Sequence, residues 1–210
     1  MQQRVEEFQQ ALAYLDRVKA NEIFAQSLQQ SSPLQVVEQL IVPALINIGR
    51  QWQEGSLALS QIYMSGRISE EMVDQALPAS DPDRKKQPRS AIVVLDDYHM
   101  LGKRIVYSVL RASGYELFDY GRMTPQDLVE RVLAEKIRVL MISVLMLPSA
   151  LRIREVSDAL AQAGSDIRII VGGAPFLFDK NLWQEVGADA MGENASDALK
   201  IIQGWMGELS

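Results

Sequence analysis

Apolar positions in the first third of the chain recur at helical spacing: Val5, Phe8 and Leu12, then Leu34, Val37, Leu40, Ile41, Leu45 and Ile48, then Leu59, Ile62 and Tyr63. Such spacing gathers them on one face of each helix and predicts three or four helices packed as a small bundle. Ser31 or Ser32 ahead of Pro33 has the form of a helix start, and Gly55-Ser56 between Trp52 and Leu57 that of a turn joining antiparallel helices. Beyond residue 90 the period changes. Short β-branched runs at Ala91–Leu95, Tyr115–Asp119, Val139–Ser143 and Ile167–Val171, with a last one at Ala188–Ala190, alternate with amphipathic stretches. Thr124 before Pro125 and Asp127, and Asn194 before Ala195 and Asp197, read as helix N-termini. Strands alternating with crossover helices predict a five-stranded parallel sheet covered on both faces, in the order 2-1-3-4-5. The expected fold class is α/β, a Rossmann-like (flavodoxin-like) domain preceded by a small helical bundle.

Between the two patterns lies LPASDPDRKKQPRS, whose three prolines and cluster of charges leave nothing to bury. The expected division is therefore a helical domain at 1–77, a linker at 78–90 and a sheet domain at 91–210. Arg84, Lys85, Lys86 and Arg89 read as solvated linker charge. With 48% hydrophobic and 23% charged residues, the composition is that of an ordinary globular protein. A net charge of -6 argues against a nucleic-acid partner, which needs a concentrated basic face. There is no long apolar run for a membrane and no cysteine for disulfides or thiolate metal sites, and MQQRVEEFQQ lacks the apolar core of a signal peptide. The expected location is the cytoplasm.

In the predicted strand order, ligands belong at the carboxyl ends of strands 1 and 3. There the chain reads Asp96-Asp97-Tyr98-His99-Met100-Leu101-Gly102-Lys103, with the only histidine of the sequence. Asp97, two residues before His99, is placed to accept a hydrogen bond from one ring nitrogen while the other binds a metal. Strand 3 ends at Ser143-Val144-Leu145, where a hydroxyl would extend a chain from His99 through Asp97 to Ser143. Gly102, Gly172 and Gly173 stand at the same edge, where missing side chains leave a slot for a long ligand tail. No GxxxxGK, GxSxG or HExxH motif offers an independent chemistry.

The ordered set Asp97/His99/Gly102, Ser143/Leu145 and Gly172/Gly173 resembles the cobalamin-binding domain of corrinoid methyl carriers, the family of methionine synthase and of methanol and methylamine corrinoid proteins. Lys103-Arg104-Ile105-Val106, Gly121-Arg122-Met123-Thr124-Pro125, Gly187-Ala188-Asp189 and Gly192-Glu193-Asn194-Ala195 are similar to the same family, while Val42-Pro43-Ala44-Leu45 and Ile48 to Gly55 resemble its helical cap domain. The resemblance implies that the cofactor's own base leaves cobalt and His99 becomes the lower axial ligand. Asp97 and Ser143 would form a proton relay, with Tyr98, Met100, Leu101, Gly102, Leu145, Met146, Gly172, Gly173, Gly192 and Asn194 around the cofactor. Tyr63 and Met64 would face it from the cap. It further implies a cycle between Co(I) and methyl-Co(III), served by a methyl-donor methyltransferase, a methyl-acceptor methyltransferase of tetrahydrofolate type and a reductive activator; such a chain is a carrier subunit and not a complete enzyme.

Three positions depart from the family pattern: Asp96 stands where many relatives have glycine, Met100 where they have aspartate, and Leu147 where a threonine often bonds the corrin. Two further readings share the fold, an adenosylcobalamin mutase subunit and a cobalamin-based sensor or regulator. The pair Asp96-Asp97 also fits the acidic pair of a phosphorylation receiver, but Ser143 occupies the place of its phosphorylated aspartate.

Overall fold

The computed structural model describes residues 2–76 and 87–209. The expected linker at 78–90 therefore lies outside the described residues up to position 86. The N-terminal elements are α1 (Gln2–Ala13), α2 (Arg17–Leu28), α3 (Pro33–Val36), a π-helical turn (Val37–Ile41), α4 (Val42–Gln53) and α5 (Leu59–Ala76). There follow β1 (Ser90–Leu95), α6 (Leu101–Ala112), β2 (Leu117–Met123), α7 (Pro125–Ala134), β3 (Val139–Ser143), α8 (Leu147–Leu151) and α9 (Ile153–Gln162). The chain closes with β4 (Arg168–Gly172), α10 (Ala174–Phe178), α11 (Leu182–Glu185), β5 (Ala190–Gly192) and α12 (Ala195–Leu209). Two compact units result: one gathers the N-terminal helices with Ser108–Glu116, the other the strands and remaining helices, so that α6 contributes to both.

In the helical unit, Phe8, Leu12, Leu40, Ile41 and Ile48 are fully buried, the residues that the periodicity singles out. Ser32 opens α3 with a reciprocal cap, its side chain accepting from the Gln35 N–H while the Gln35 side chain accepts from the Ser32 N–H. Pro43 has no N–H to give to the preceding turn, and the chain widens just ahead of it, where the Val42 N–H reaches back to the Val37 carbonyl. Helix α2 was not expected from the pattern. Its buried stripe is Ala20, Ile23, Phe24 and Ser27, only two of them large and apolar, while Val18 is exposed.

The sheet is parallel throughout, with strand order β2-β1-β3-β4-β5 as the alternation predicts. Reversal of direction at β1 sends α6 to one face and α7, α9, α10 and α11 to the other, since each crossover is right-handed. On that second face Val93, Leu95, Leu140, Ile142 and Val171 meet Leu128, Val132, Ile153, Val156 and Phe176 in one core. Two strands are shifted from expectation. The Tyr115 N–H bonds the Leu110 carbonyl at 3.0 Å and closes α6, so β2 begins at Leu117 and runs on to Met123. Ala188 is likewise held by the Trp183 carbonyl at 2.9 Å, and β5 begins only at Ala190, opposite Ile170. No described helix is long and apolar enough to cross a membrane.

Candidate functional site

Where β1 ends, the chain turns sharply. Asp96 has φ +47°, a left-handed conformation that glycine adopts freely and aspartate only at a cost. The strain is held by contacts on all sides. The Asp96 N–H bonds the Met123 carbonyl at 3.0 Å, its carbonyl accepts from the Ser149 hydroxyl at 3.1 Å, and its carboxylate pairs with Arg152 and lies 3.8 Å from Arg122.

This turn delivers Asp97 into the interior, 3% exposed. Its Oδ1 accepts from the Tyr98 N–H at 2.7 Å, the His99 N–H at 3.2 Å and the His99 ring Nδ1 at 2.6 Å. Its Oδ2 accepts from the Leu145 and Met146 N–H groups, at 2.7 and 3.0 Å, just beyond the end of β3. Burial alone raises the pKa of such a group; the bonds from the His99 side chain and from the Leu145, Met146 and His99 backbones outweigh it and hold the carboxyl well below the usual carboxylate range. Asp97 is thus ionised at neutral pH. An ionised carboxylate only accepts, so Nδ1 of His99 donates to it, and Nε2 is the ring nitrogen left to face a metal. The His99 side chain is 56% exposed, and Nε2 has no hydrogen-bond partner among the described residues.

Ser143 stands opposite Val94 at the same edge, with its hydroxyl 3.5 Å from where a Cβ on Gly102 would lie. It does not bond Asp97. The second oxygen of the Asp97 carboxylate accepts from the Leu145 and Met146 N–H groups instead. Around His99 the surface is apolar: Tyr98, Leu101, Leu145, Met146 and Leu147 are exposed, and Met100 is half-buried. Tyr63 and Met64 lie on α5 in the helical unit and are half-buried there.

The β4–β5 side of the edge is built differently. Gly173 has φ +124°, and a Cβ there would fall 1.7 Å from the Val144 carbonyl oxygen. Its bare backbone is what lets the chain leaving β3 lie against β4, where the Val144 N–H bonds the Gly172 carbonyl at 3.1 Å. A Cβ on Gly172 would lie 3.1 Å from the Gly192 carbonyl oxygen, a tight approach between this pair of strands. Asn194 caps α12, its Oδ1 accepting from the Ser196 and Asp197 N–H groups at 2.8 and 3.1 Å.

Sequence reasoning passed over several residues that shape the site. Lys103, in the first turn of α6, is 1% exposed and paired with Asp119 of β2. The Arg122 guanidinium lies 4.3 Å from the centre of the Tyr98 ring. Arg152 fastens Asp96. The signals available were the unusual Asp96-Asp97 pair, which needs cations nearby, and the likeness of the segments holding Lys103 and Arg122 to the family. Among the described residues no three His, Cys, Asp or Glu side chains are grouped to hold a metal ion. A metal at His99 must therefore bring other ligands with it.

Comparison with known proteins gives a consistent picture. A family model described as the B12 binding domain matches residues 90–200, and a second of the same description matches residues 4–77. The trimethylamine corrinoid protein 1 of Methanosarcina mazei is 27% identical over 203 residues, covering 92% of each chain. Among solved structures, a cobalamin-binding protein from Desulfitobacterium hafniense DCB-2 superposes with a TM-score of 0.81 at 26% identity, over 96% of this chain and 98% of that one. The methanol:cobalamin methyltransferase complex of Methanosarcina barkeri shares the fold, with a TM-score of 0.69 at 22% identity over 98% of this chain and 80% of that one.

Proposed function

The chain belongs to the B12-binding domain family, and from that premise we propose that it holds a corrinoid with His99 as lower axial ligand to cobalt and serves as the methyl-carrying subunit of a methylamine- or methanol-type methyltransferase system. One observation carries the reading: a buried, ionised Asp97 holds Nδ1 of His99 at 2.6 Å and leaves Nε2 on a half-exposed ring. The residues fit a corrinoid. The macrocycle supplies the remaining cobalt ligands that the protein lacks, and the exposed apolar rim of Tyr98, Leu101, Leu145, Met146 and Leu147 offers it a nonpolar seat. When bound, the corrinoid supplies a cobalt centre able to accept and give up a methyl group.

The chain's own part is to position and to exclude. Asp97 fixes the histidine tautomer and strengthens Nε2 as a donor. The Leu145 and Met146 N–H groups stop the carboxylate from turning away or taking up a proton. Gly102, Ser143, Gly172, Gly173, Gly192 and Asn194 border the edge along which the cofactor's tail would run. Partners then follow from the role: a methyl-donor methyltransferase, a methyl-acceptor methyltransferase, for which we favour a tetrahydrofolate type, and a reductive activator.

The test is electron paramagnetic resonance of the cobalamin-loaded protein reduced to cobalt(II), with and without nitrogen-15 histidine, beside His99→Ala. An axial nitrogen pattern that changes with the label and disappears in the variant is expected. A pattern indifferent to both assigns the nitrogen to the cofactor's own base and overturns the reading.

A further inference from the structure

Strand β2 carries one residue too many. From Ile92 to Val94 along β1 is two steps, but their partners Asp119 and Arg122 on β2 are three apart. The extra residue forms a β-bulge, and Gly121 accommodates it with φ +66°. Side chains alternate along a strand, so without the bulge Arg122 would follow Tyr120 onto the face covered by α7. That face is apolar core, and Tyr120 is buried in it with Leu128 and Val132. With the bulge, Arg122 shares the face of Asp119 instead.

The bulge is also braced. Asp119 accepts from the Gly121 N–H at 2.8 Å and pairs with Lys103, which is buried in the first turn of α6. A buried ammonium whose partner lies on the bulged strand ties that strand to the helix that starts two residues after His99. The outcome of this construction is the position of one side chain. Arg122 lies over the ring of Tyr98, 4.3 Å from its centre, and 3.8 Å from the Asp96 carboxylate. These two residues flank Asp97, and the Tyr98 N–H is itself one of the donors to the carboxylate that orients His99.

We propose that Arg122 is a positioning residue for the axial ligand: delivered by the Gly121 bulge, it clamps Tyr98 and Asp96 and so holds the backbone from which His99 reaches its metal. The proposal rests on the reading of His99 as cobalt ligand. Tyr98, 79% exposed and with only its backbone bonded to Asp97, has nothing else to fix its ring among the contacts described. Without the clamp, the loop bearing His99 gains freedom that cofactor binding must remove, and affinity falls accordingly.

The test uses the full chain, loaded with cobalamin, as Arg122→Ala, Tyr98→Leu, the double variant, and His99→Ala for reference. Two quantities are read: the cobalamin dissociation constant and the share of cobalt(II) signal that carries a histidine nitrogen. A cation over a partly exposed ring implies that Arg122→Ala binds cobalamin about two- to five-fold more weakly, with a smaller histidine-bound share. Tyr98→Leu reproduces both effects, and the double variant equals either single one, because the two residues act through one contact. Unchanged affinity and spectrum in Arg122→Ala overturns the proposal, as do losses that simply add in the double variant. If His99→Ala has the wild-type spectrum, it is the ligand assignment that fails; if only the Arg122 and Tyr98 variants behave as wild type, the ligand stands and the clamp fails.

Discussion

The ends of β1 and β3 and the ends of β4 and β5 share one edge of the sheet, yet they are held by opposite means. On the first side a buried carboxylate collects bonds from the Tyr98, His99, Leu145 and Met146 backbones and from the His99 ring. On the second, Gly172, Gly173 and Gly192 allow close packing by presenting nothing: the space where their side chains would be is taken by the carbonyls of Gly192 and Val144 and by the backbone that starts α12. The contrast separates two kinds of vulnerability. The first side fails when a charge or a partner is lost, and its failure depends on pH. The second fails when an atom is added, and pH is irrelevant to it.

The largest effect belongs to the glycine side. Gly173→Ala places a methyl group 1.7 Å from the Val144 oxygen in a backbone conformation that alanine rarely adopts. Relief requires moving β3 away from β4. Urea unfolding at pH 7 is expected to show a loss of about 4 kcal/mol or more, the range of severe steric defects. The same loss should persist at pH 5. A loss under about 1 kcal/mol would mean that this junction relaxes freely, and the distinction between the two sides would collapse.

Asp97→Ala comes next. It strands the Leu145 and Met146 N–H groups beside a buried site and is expected to cost about 3 kcal/mol at neutral pH. Here the pH dependence is diagnostic. The folded carboxyl lies far below its unfolded value of about 3.9, so its contribution is complete above that value and is lost as pH falls through the folded one. The gap between wild type and Asp97→Ala should stay constant from pH 7 to 5 and narrow only in stronger acid. A gap that narrowed already between pH 7 and 5 would contradict the bonding described for Asp97.

What the sequence discloses of this edge follows the same division. The pairing of Asp97 with His99 is legible because two residues apart in a loop is a spacing that side chains can bridge. The order of strands is legible because β-branched runs alternate with amphipathic ones. The partners of Asp97 Oδ2 are not, since backbone N–H groups at Leu145 and Met146 leave no trace in residue type, whereas a serine hydroxyl at Ser143 does. Gly173 is legible as a glycine but not as a collision with Val144, which depends on how two strands approach. Arg122 is hidden for a further reason: its partners are set by a one-residue bulge, and a strand pattern read at period two ends before reaching it.

A smaller effect tests the glycine side without steric conflict. Asn194→Ala removes the bonds to the Ser196 and Asp197 N–H groups that start α12, a loss of about 1 kcal/mol in urea unfolding. A loss as large as that of Asp97→Ala would mean that the cap is integral to the β5 side of the edge.

The smallest effect on stability is expected at the residue that matters most for the proposed chemistry. The His99 ring is 56% exposed, and removing it leaves Asp97 with its four backbone donors. Water can reach the freed position of Oδ1 from the side the ring vacates. His99→Ala should therefore unfold in urea at pH 7 within about 1 kcal/mol of wild type, well short of the cost of stranding buried donors. If it loses 2 kcal/mol or more, the ring is part of the frame that holds the loop, as Asp97 is, and its exposure is no sign of availability. If it keeps its stability while losing the histidine nitrogen from the cobalt(II) spectrum, Asp97 and its backbone donors form a rigid seat on which the ring is mounted, and the side of the edge built from charges is divided between residues that hold and one that binds.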